Sequence, residues 1–140
     1  MKKVVSEAPD GSTDDAPIIL VLDDEPMIQS VVARILEREG YPVVTAATGS
    51  AALDALRTHG DRIALMIVDI KLPDMCGREF VHHATARYGE RPILYFSGVD
   101  QKGRTDALHQ RTIFLAKPFE AAELIDRVRA LLAEPTDQPT

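Results

Sequence analysis

The sequence predicts an α/β protein in which five parallel strands form one doubly wound sheet with helices on both faces. Three observations predict it. Short β-rich runs recur at Ile18-Leu22, Val43-Ala46, Ile63-Val68, Ile93-Phe96 and Ile113-Ala116. The longer stretches between them place apolar residues at three- and four-residue spacing, the period of an amphipathic helix. Strands alternating with helices are joined by right-handed crossovers, which lay the helices on the two faces of a parallel sheet.

The first helix starts at Pro26, whose missing N–H suits a first helical position, carries Ile28, Val31, Val32, Ile35 and Leu36, and ends at Gly40. A second runs from about Ser50 with Ala52, Leu53, Ala55 and Leu56 to Gly60, and a third from about Gly77 through Phe80, Val81 and Ala84 to Gly89. Between Val99 and Gln110 the only apolar residues are Val99, Ala107 and Leu108, which predicts a short, weakly packed fourth helix. The fifth, from about Glu120, carries Leu124, Val128, Leu131 and Leu132 before Pro135. Residues 1–16 hold Pro, Gly, Ser, Thr and four acids without apolar periodicity and read as a disordered leader; residues 134–140 read as a flexible tail. One domain, residues 17–133, lies between them.

The chain has 140 residues, a formal net charge of -6 and 45% apolar content, enough for one core without metal or disulfide staples. Cys76 is the single cysteine, so no internal disulfide forms, which fits a reducing, cytoplasmic setting. The longest apolar run, Ile63 to Val68, is far short of the roughly 20 residues that span a bilayer, and the basic start lacks the apolar stretch of a signal peptide. Lys and Arg are scattered singly apart from Lys2-Lys3, which argues against a direct nucleic-acid surface. The leader and the tail each carry a net charge of -2, leaving -2 for residues 17–133.

In a doubly wound sheet the carboxyl ends of the strands converge on one edge, where ligands bind. Strand one ends in Asp23-Asp24-Glu25, strand three in Asp69, strand four in Ser97-Gly98 and strand five in Lys117-Pro118, while strand two ends in uncharged Ala47-Thr48-Gly49. Three carboxylates in one pocket repel, and a hard divalent cation with oxygen ligands, Mg²⁺ by its preference for few carboxylates and retained waters, relieves that repulsion. A lysine opposite the metal makes the pocket suit a phosphoryl group, whose oxygens Ser97 and backbone N–H groups also bind. No P-loop spacing is present, so nucleotide cradling is unsupported. A carboxylate can attack phosphorus to give an acyl phosphate. Asp69, at the end of the most apolar and therefore central strand, is best placed for it, with Asp23 and Asp24 holding the metal.

These motifs, Leu20-Val21-Leu22-Asp23-Asp24-Glu25, Asp69-Ile70-Lys71-Leu72-Pro73-Asp74-Met75-Cys76-Gly77, Ser97-Gly98 and Lys117-Pro118-Phe119, taken in order, resemble the receiver domain of two-component response regulators over residues 17–133. The resemblance implies a flavodoxin-like fold of strand order 2-1-3-4-5. It further implies that Asp69 accepts a phosphoryl group from a phosphohistidine on a sensor histidine kinase or histidine phosphotransfer protein. Asp24, Asp69 and the Lys71 backbone carbonyl would ligate Mg²⁺, with Asp23 reaching it through water. Ser97 and Lys117 would bind the phosphoryl oxygens, and the Lys117-Pro118 bond would be cis. Phe114 would be the switch, turning inward as Ser97 moves, so that the surface of the fourth helix, fifth strand and fifth helix changes for an unidentified downstream target or a homodimer. Such a module is not an enzyme beyond slow self-catalysed phosphorylation and dephosphorylation. With only seven polar residues after the fifth helix, no output domain is expected in this chain.

The sequence departs from the family pattern where His109-Gln110-Arg111-Thr112 replaces Gly-Ala before strand five, which points to an altered fourth helix. Lys71 reads as a solvated loop lysine or as a second cation on the phosphoryl group. Phe114 also reads as core packing, and Glu25 either touches the metal or caps the first helix. His59 suits a helix C-terminus as a cation, His82-His83 are solvated helix residues facing different directions, and Cys76 is a small reduced spacer. Two rival classes remain: an aspartate-nucleophile phosphatase, whose usual second Asp two residues after the nucleophile is missing from Asp23-Asp24-Glu25, and a receiver-like module acting without phosphorylation.

Overall fold

The structure, a computed structural model, describes residues 16–97 and 112–133, with the backbone alone for Ser97. The expected leader up to residue 15, the fourth helix between Val99 and Gln110, and the tail lie outside the described residues. The elements are β1 (Ile18–Leu22), α1 (Pro26–Arg38), β2 (Val43–Ala46), α2 (Gly49–His59), a 3-10 turn (Gly60–Arg62), β3 (Ile63–Asp69), α3 (Gly77–Tyr88), β4 (Ile93–Ser97), β5 (Thr112–Ala116) and α4 (Ala121–Ala133). The helix expected from about Glu120 is thus α4 here.

All strand pairs are parallel, in the order β2-β1-β3-β4-β5. This is the doubly wound arrangement, with β3 in the centre. The register is nearly flush at the carboxyl ends: Leu22 pairs with Ala46 and Val68, Asp69 with Phe96, and Ser97 with Ala116. Residues that end different strands therefore meet at one edge.

β1 shows why the sheet has two cores. All five of its side chains are buried, Ile18, Leu20 and Leu22 on one face and Ile19 and Val21 on the other. The first face packs against Ala52 and Leu56 of α2 and Phe80, Val81 and Ala84 of α3. The second packs against Val32 and Leu36 of α1 and Leu124, Val128 and Leu131 of α4. A strand covered on both faces reads as an unbroken apolar run, as β1 and β3 do.

Several boundaries differ from the sequence reading by one or two residues, each for a local reason. α2 begins at Gly49 because Thr48 takes the cap position and its hydroxyl accepts the Ala51 N–H at 3.0 Å. α4 begins at Ala121, with the Glu123 carboxylate accepting the Glu120 N–H at 3.0 Å. α1 ends at Arg38, and Gly40 turns the chain with φ +95°, a conformation that L side chains disfavour. Val31 does not belong to the buried stripe of α1. It is 42% exposed and shares the outer face with Met27, one helical turn earlier and 75% exposed. Among the described residues no helix is long and apolar enough to cross a membrane.

Candidate functional site at the carboxyl edge of the sheet

Asp23 leaves β1 fully buried, and the backbone fixes it from both ends. Its N–H donates to the Ala46 carbonyl at 3.0 Å, and its carbonyl accepts from Gln29 Nε2 at 2.7 Å. Its Oδ1 accepts the Glu25 N–H at 2.9 Å. The other oxygen, Oδ2, is buried without a hydrogen bond of good geometry and is held by the ion pair with Lys117 Nζ at 2.9 Å. Asp24, next in the chain, is exposed.

Asp69 ends β3 and is 8% exposed. Its Oδ1 accepts the Lys71 N–H at 3.2 Å, and Oδ2 lies 3.4 Å from Lys117 Nζ. The chain after it turns tightly: the Gly77 N–H donates to the Ile70 carbonyl at 2.6 Å, and Lys71 and Cys76 form an antiparallel bridge. A Cβ at Gly77 would collide with the Asp69 carbonyl, so only glycine fits there.

Lys117 directly follows β5, is joined to Pro118 by a cis peptide, and reaches three carboxylates: Asp23 at 2.9 Å, Glu25 at 3.3 Å and Asp69 at 3.4 Å. Burial works against its charge, but Asp23, Asp69 and Glu25 outweigh that and raise its pKa above the ordinary 10.5. Asp69 is nonetheless also raised above the usual 3.8. Burial is the main cause, Lys117 opposes it, and Asp23 adds to it. One ammonium divided among three acids leaves Asp69 only partly compensated.

Carboxylate oxygens of Asp23, Asp24 and Asp69 lie within 4.8 Å of one another, two of these residues buried and one exposed. Three hard oxygen donors, one of them a buried Asp23 oxygen short of donors, fit a divalent cation such as Mg²⁺. The exposed Asp24 leaves such a site open on one side, as an ion that keeps water ligands requires.

The structure thus brings together Asp23, Asp24, Asp69 and Lys117, with the Lys71 backbone beside Asp69 and the Ser97 backbone paired with Ala116 at the same edge. The Lys71 side chain is exposed. Phe114 is half-buried, stacked on the buried ring of Tyr95 at 5.1 Å between centroids, with the Arg78 guanidinium 5.6 Å from its ring.

Three readings of individual residues change. Glu25 stands at the N-cap of α1 but makes no side-chain cap bond; its carboxylate is drawn to Lys117 instead. His59 is not favoured as a cation, since burial and then Arg62 lower its pKa from 6.5. His82 and His83 are both exposed, yet their rings sit 6.0 Å apart, edge toward face. Cys76 is an exposed free thiol at the N-cap of α3. The sequence reading passed over Arg78 and, having read Glu25 as a metal contact or a helix cap, missed its pairing with Lys117; the only signal for that pairing was the third acid in the Asp23-Asp24-Glu25 run.

A doubly wound sheet of this order, with an acidic pocket and one lysine at its carboxyl edge, defines a class of small α/β domains. The chain belongs to the response regulator receiver domain family, whose family model matches residues 19–129. It is 33% identical over 124 residues to the probable transcriptional regulatory protein TcrX of Mycobacterium tuberculosis, covering 85% of this chain and 51% of that protein. It is 34% identical over 132 residues to the alkaline phosphatase synthesis transcriptional regulatory protein SphR of Synechococcus elongatus, covering 86% and 51%. The chain thus spans about half the length of these curated relatives. Among solved structures, chemotaxis protein CheY4 of Vibrio cholerae matches with TM-score 0.73 and 30% identity over 84% of this chain and 99% of that one. The receiver domain of the hybrid histidine kinase CckA matches with TM-score 0.70 and 32% identity, covering 82% and 98%. The chain is therefore a receiver domain of the two-component response-regulator type.

Proposed function

We propose that this receiver accepts a phosphoryl group on Asp69 from a phosphohistidine of a sensor histidine kinase or histidine phosphotransfer protein. The observation that carries the reading is that Asp69 Oδ2 lies 3.4 Å from Lys117 Nζ and that the Asp69 carboxylate clusters with those of Asp23 and Asp24. In the transfer an Asp69 carboxylate oxygen attacks phosphorus, the O–P bond forms as the N–P bond breaks, and the leaving imidazole nitrogen keeps the electron pair. The Lys71 N–H on Oδ1 orients the carboxylate so that Oδ2 is the attacking oxygen.

Asp24, Asp69 and the Lys71 backbone carbonyl would hold Mg²⁺, with Asp23 acting through water; bound there, the ion supplies neutralisation of the phosphoryl oxygens. Lys117 already bridges Asp23 and Asp69, so its ammonium needs little movement to pair with a phosphoryl oxygen in place of Asp69 Oδ2. Ser97, at the end of β4, and backbone amides would complete the phosphoryl contacts. Phe114, on edge strand β5, is the switch in this reading, and a change in its packing alters the β5 and α4 surface for a downstream target or a second copy of the chain. The module acts as a cytoplasmic switch and not as a turnover enzyme.

Incubation with acetyl phosphate and Mg²⁺ tests this. The expected product carries about one phosphoryl per chain, is blocked by EDTA, and turns over slowly. Rapid hydrolysis of unrelated phosphomonoesters would instead identify a phosphatase, and no uptake under any Mg²⁺ concentration would identify an association module.

A further inference from the structure

The loop that follows Asp69 is fastened at its far end to a different helix. Asp74 Oδ1 accepts the Gly49 N–H at 3.0 Å, and Oδ2 accepts the Ser50 N–H at 3.3 Å, across 25 and 24 residues of chain. These amides open α2 and have no acceptor within the helix. The helix's own cap, Thr48, serves Ala51 instead. Met75 adds a second contact, since a Cβ at Gly49 would lie 2.7 Å from its Sδ.

From Asp74 the path back to the acceptor is short and bonded. Lys71 and Cys76 bridge the two arms of the loop, the Gly77 N–H holds the Ile70 carbonyl, and the Lys71 N–H holds Asp69 Oδ1. An anchor at the loop's tip therefore restrains the same Lys71 peptide that orients Asp69.

We propose that Asp74 is a positioning residue for phosphoryl acceptance: by clamping the acceptor loop to the N-terminus of α2, it holds the Lys71 backbone and the Asp69 carboxylate in place. This deepens the reading of the Asp69 pocket and rests on it. The brace has work to do because Asp23, Asp24 and Asp69 repel one another, and a free loop would relieve that repulsion by withdrawing the Lys71 N–H and letting the Asp69 side chain swing outward. A carboxylate suits the role better than an amide, since it offers equivalent acceptor oxygens to two adjacent N–H groups and its charge faces the positive end of the helix. The same bond from Gly49 holds the Asp74 carboxyl below the ordinary carboxylate range.

Two variants of the full chain separate a brace from a simple helix cap. Thr48→Ala removes the other cap of the same helix end without touching the loop, whereas Asp74→Ala removes cap and brace together. Both are expected to lower the urea midpoint. Only Asp74→Ala is expected to weaken Mg²⁺ binding by calorimetry, on the order of fivefold, and to speed metal-free amide exchange at Lys71, Cys76 and Gly77 by a similar factor. Asp74→Asn, which keeps one acceptor oxygen, should fall between wild type and Asp74→Ala, and it carries the test if the alanine variant does not fold. Equal Mg²⁺ affinity and equal exchange in Asp74→Ala and Thr48→Ala would reduce Asp74 to a helix cap and overturn the proposal. If wild type binds no Mg²⁺, the reading of the pocket fails, and the metal-free exchange comparison decides the brace by itself.

Discussion

Asp23 and Asp69 close β1 and β3, the two strands buried on both faces, and each carboxylate is tied to a backbone N–H two residues further on. Phe114 lies in β5 and Lys117 directly follows it; among the described residues β5 is an edge strand paired only with β4, and the contacts of both run through side chains: Lys117 to three carboxylates, Phe114 to Tyr95 and Arg78. The acidic half of the site is set by local backbone geometry and the core beneath it, with the Asp74 clamp at the tip of the following loop. The basic and aromatic half is set by long-range side-chain contacts. The switch proposed above would use this division, since its acceptor would have to stay in place while its neighbours change partners.

The same substitution made in each half breaks the comparison most severely. Ile67 in β3 is fully buried and Ile113 in β5 is half-buried, both against the α1 and α4 face. Ile67→Ala is expected to cost about 2–5 kcal/mol in urea denaturation, and Ile113→Ala about half as much or less. Equal losses would mean that the edge strand is as firmly built as the centre.

Removing Lys117 should have the next largest effect. Lys117→Met leaves the buried Asp23 and its neighbours without their cation, a loss of about 1–2 kcal/mol once the partial exposure of the ammonium is discounted. In an Asp69→Asn background, with one carboxylate fewer to balance, the same change should cost less. Additive losses in a double-mutant cycle would show that the lysine does not serve the acids jointly.

Arg78→Met is expected to loosen Phe114 with a smaller loss, about 0.5–1 kcal/mol, seen as a shift in the Phe114 ring resonances without a change in the Asp69 amide. Movement of the Asp69 amide by a similar amount would tie the two halves together more closely than their contacts indicate.

The smallest effect is one of pH. Asp74 is held below its ordinary value of 3.8 by the Gly49 amide and, more weakly, the Ser50 amide, so the stability it contributes is present above 3.8 and is lost as pH falls through its lowered pKa. The stability gap between wild type and Asp74→Asn should therefore narrow in that acid window and stay constant between pH 5 and 8. His59 is also held low, by burial and then Arg62, so stability tied to its neutral form declines as pH drops below 6.5, and His59→Gln should flatten that limb.

The strands and the pocket were legible because both follow from short-range pattern. An apolar run buried on both faces marks β1 or β3, and the first polar residue after it, Asp23 or Asp69, reaches the sheet edge by register alone. The contacts that were not legible join residues far apart. Nothing around Asp74 in the sequence points to the amides of Gly49 and Ser50, and Glu25 read as a metal contact or a cap because its partner Lys117 is 92 residues away. Val31 was misplaced because α1 has apolar residues on two faces, and periodicity cannot say which face meets the sheet. His59 was read from its place at a helix end, whereas its partial burial decides its charge.

The central claim is that Asp69 is the phosphoryl acceptor, and the most direct measurement is intact and fragment mass spectrometry after reaction with acetyl phosphate and Mg²⁺. The account predicts one added phosphoryl, located on the fragment containing Asp69, labile to hydroxylamine as an acyl phosphate, and missing in Asp69→Asn. A phosphoryl group carried by another residue in the wild-type chain, or full uptake by Asp69→Asn, would contradict it.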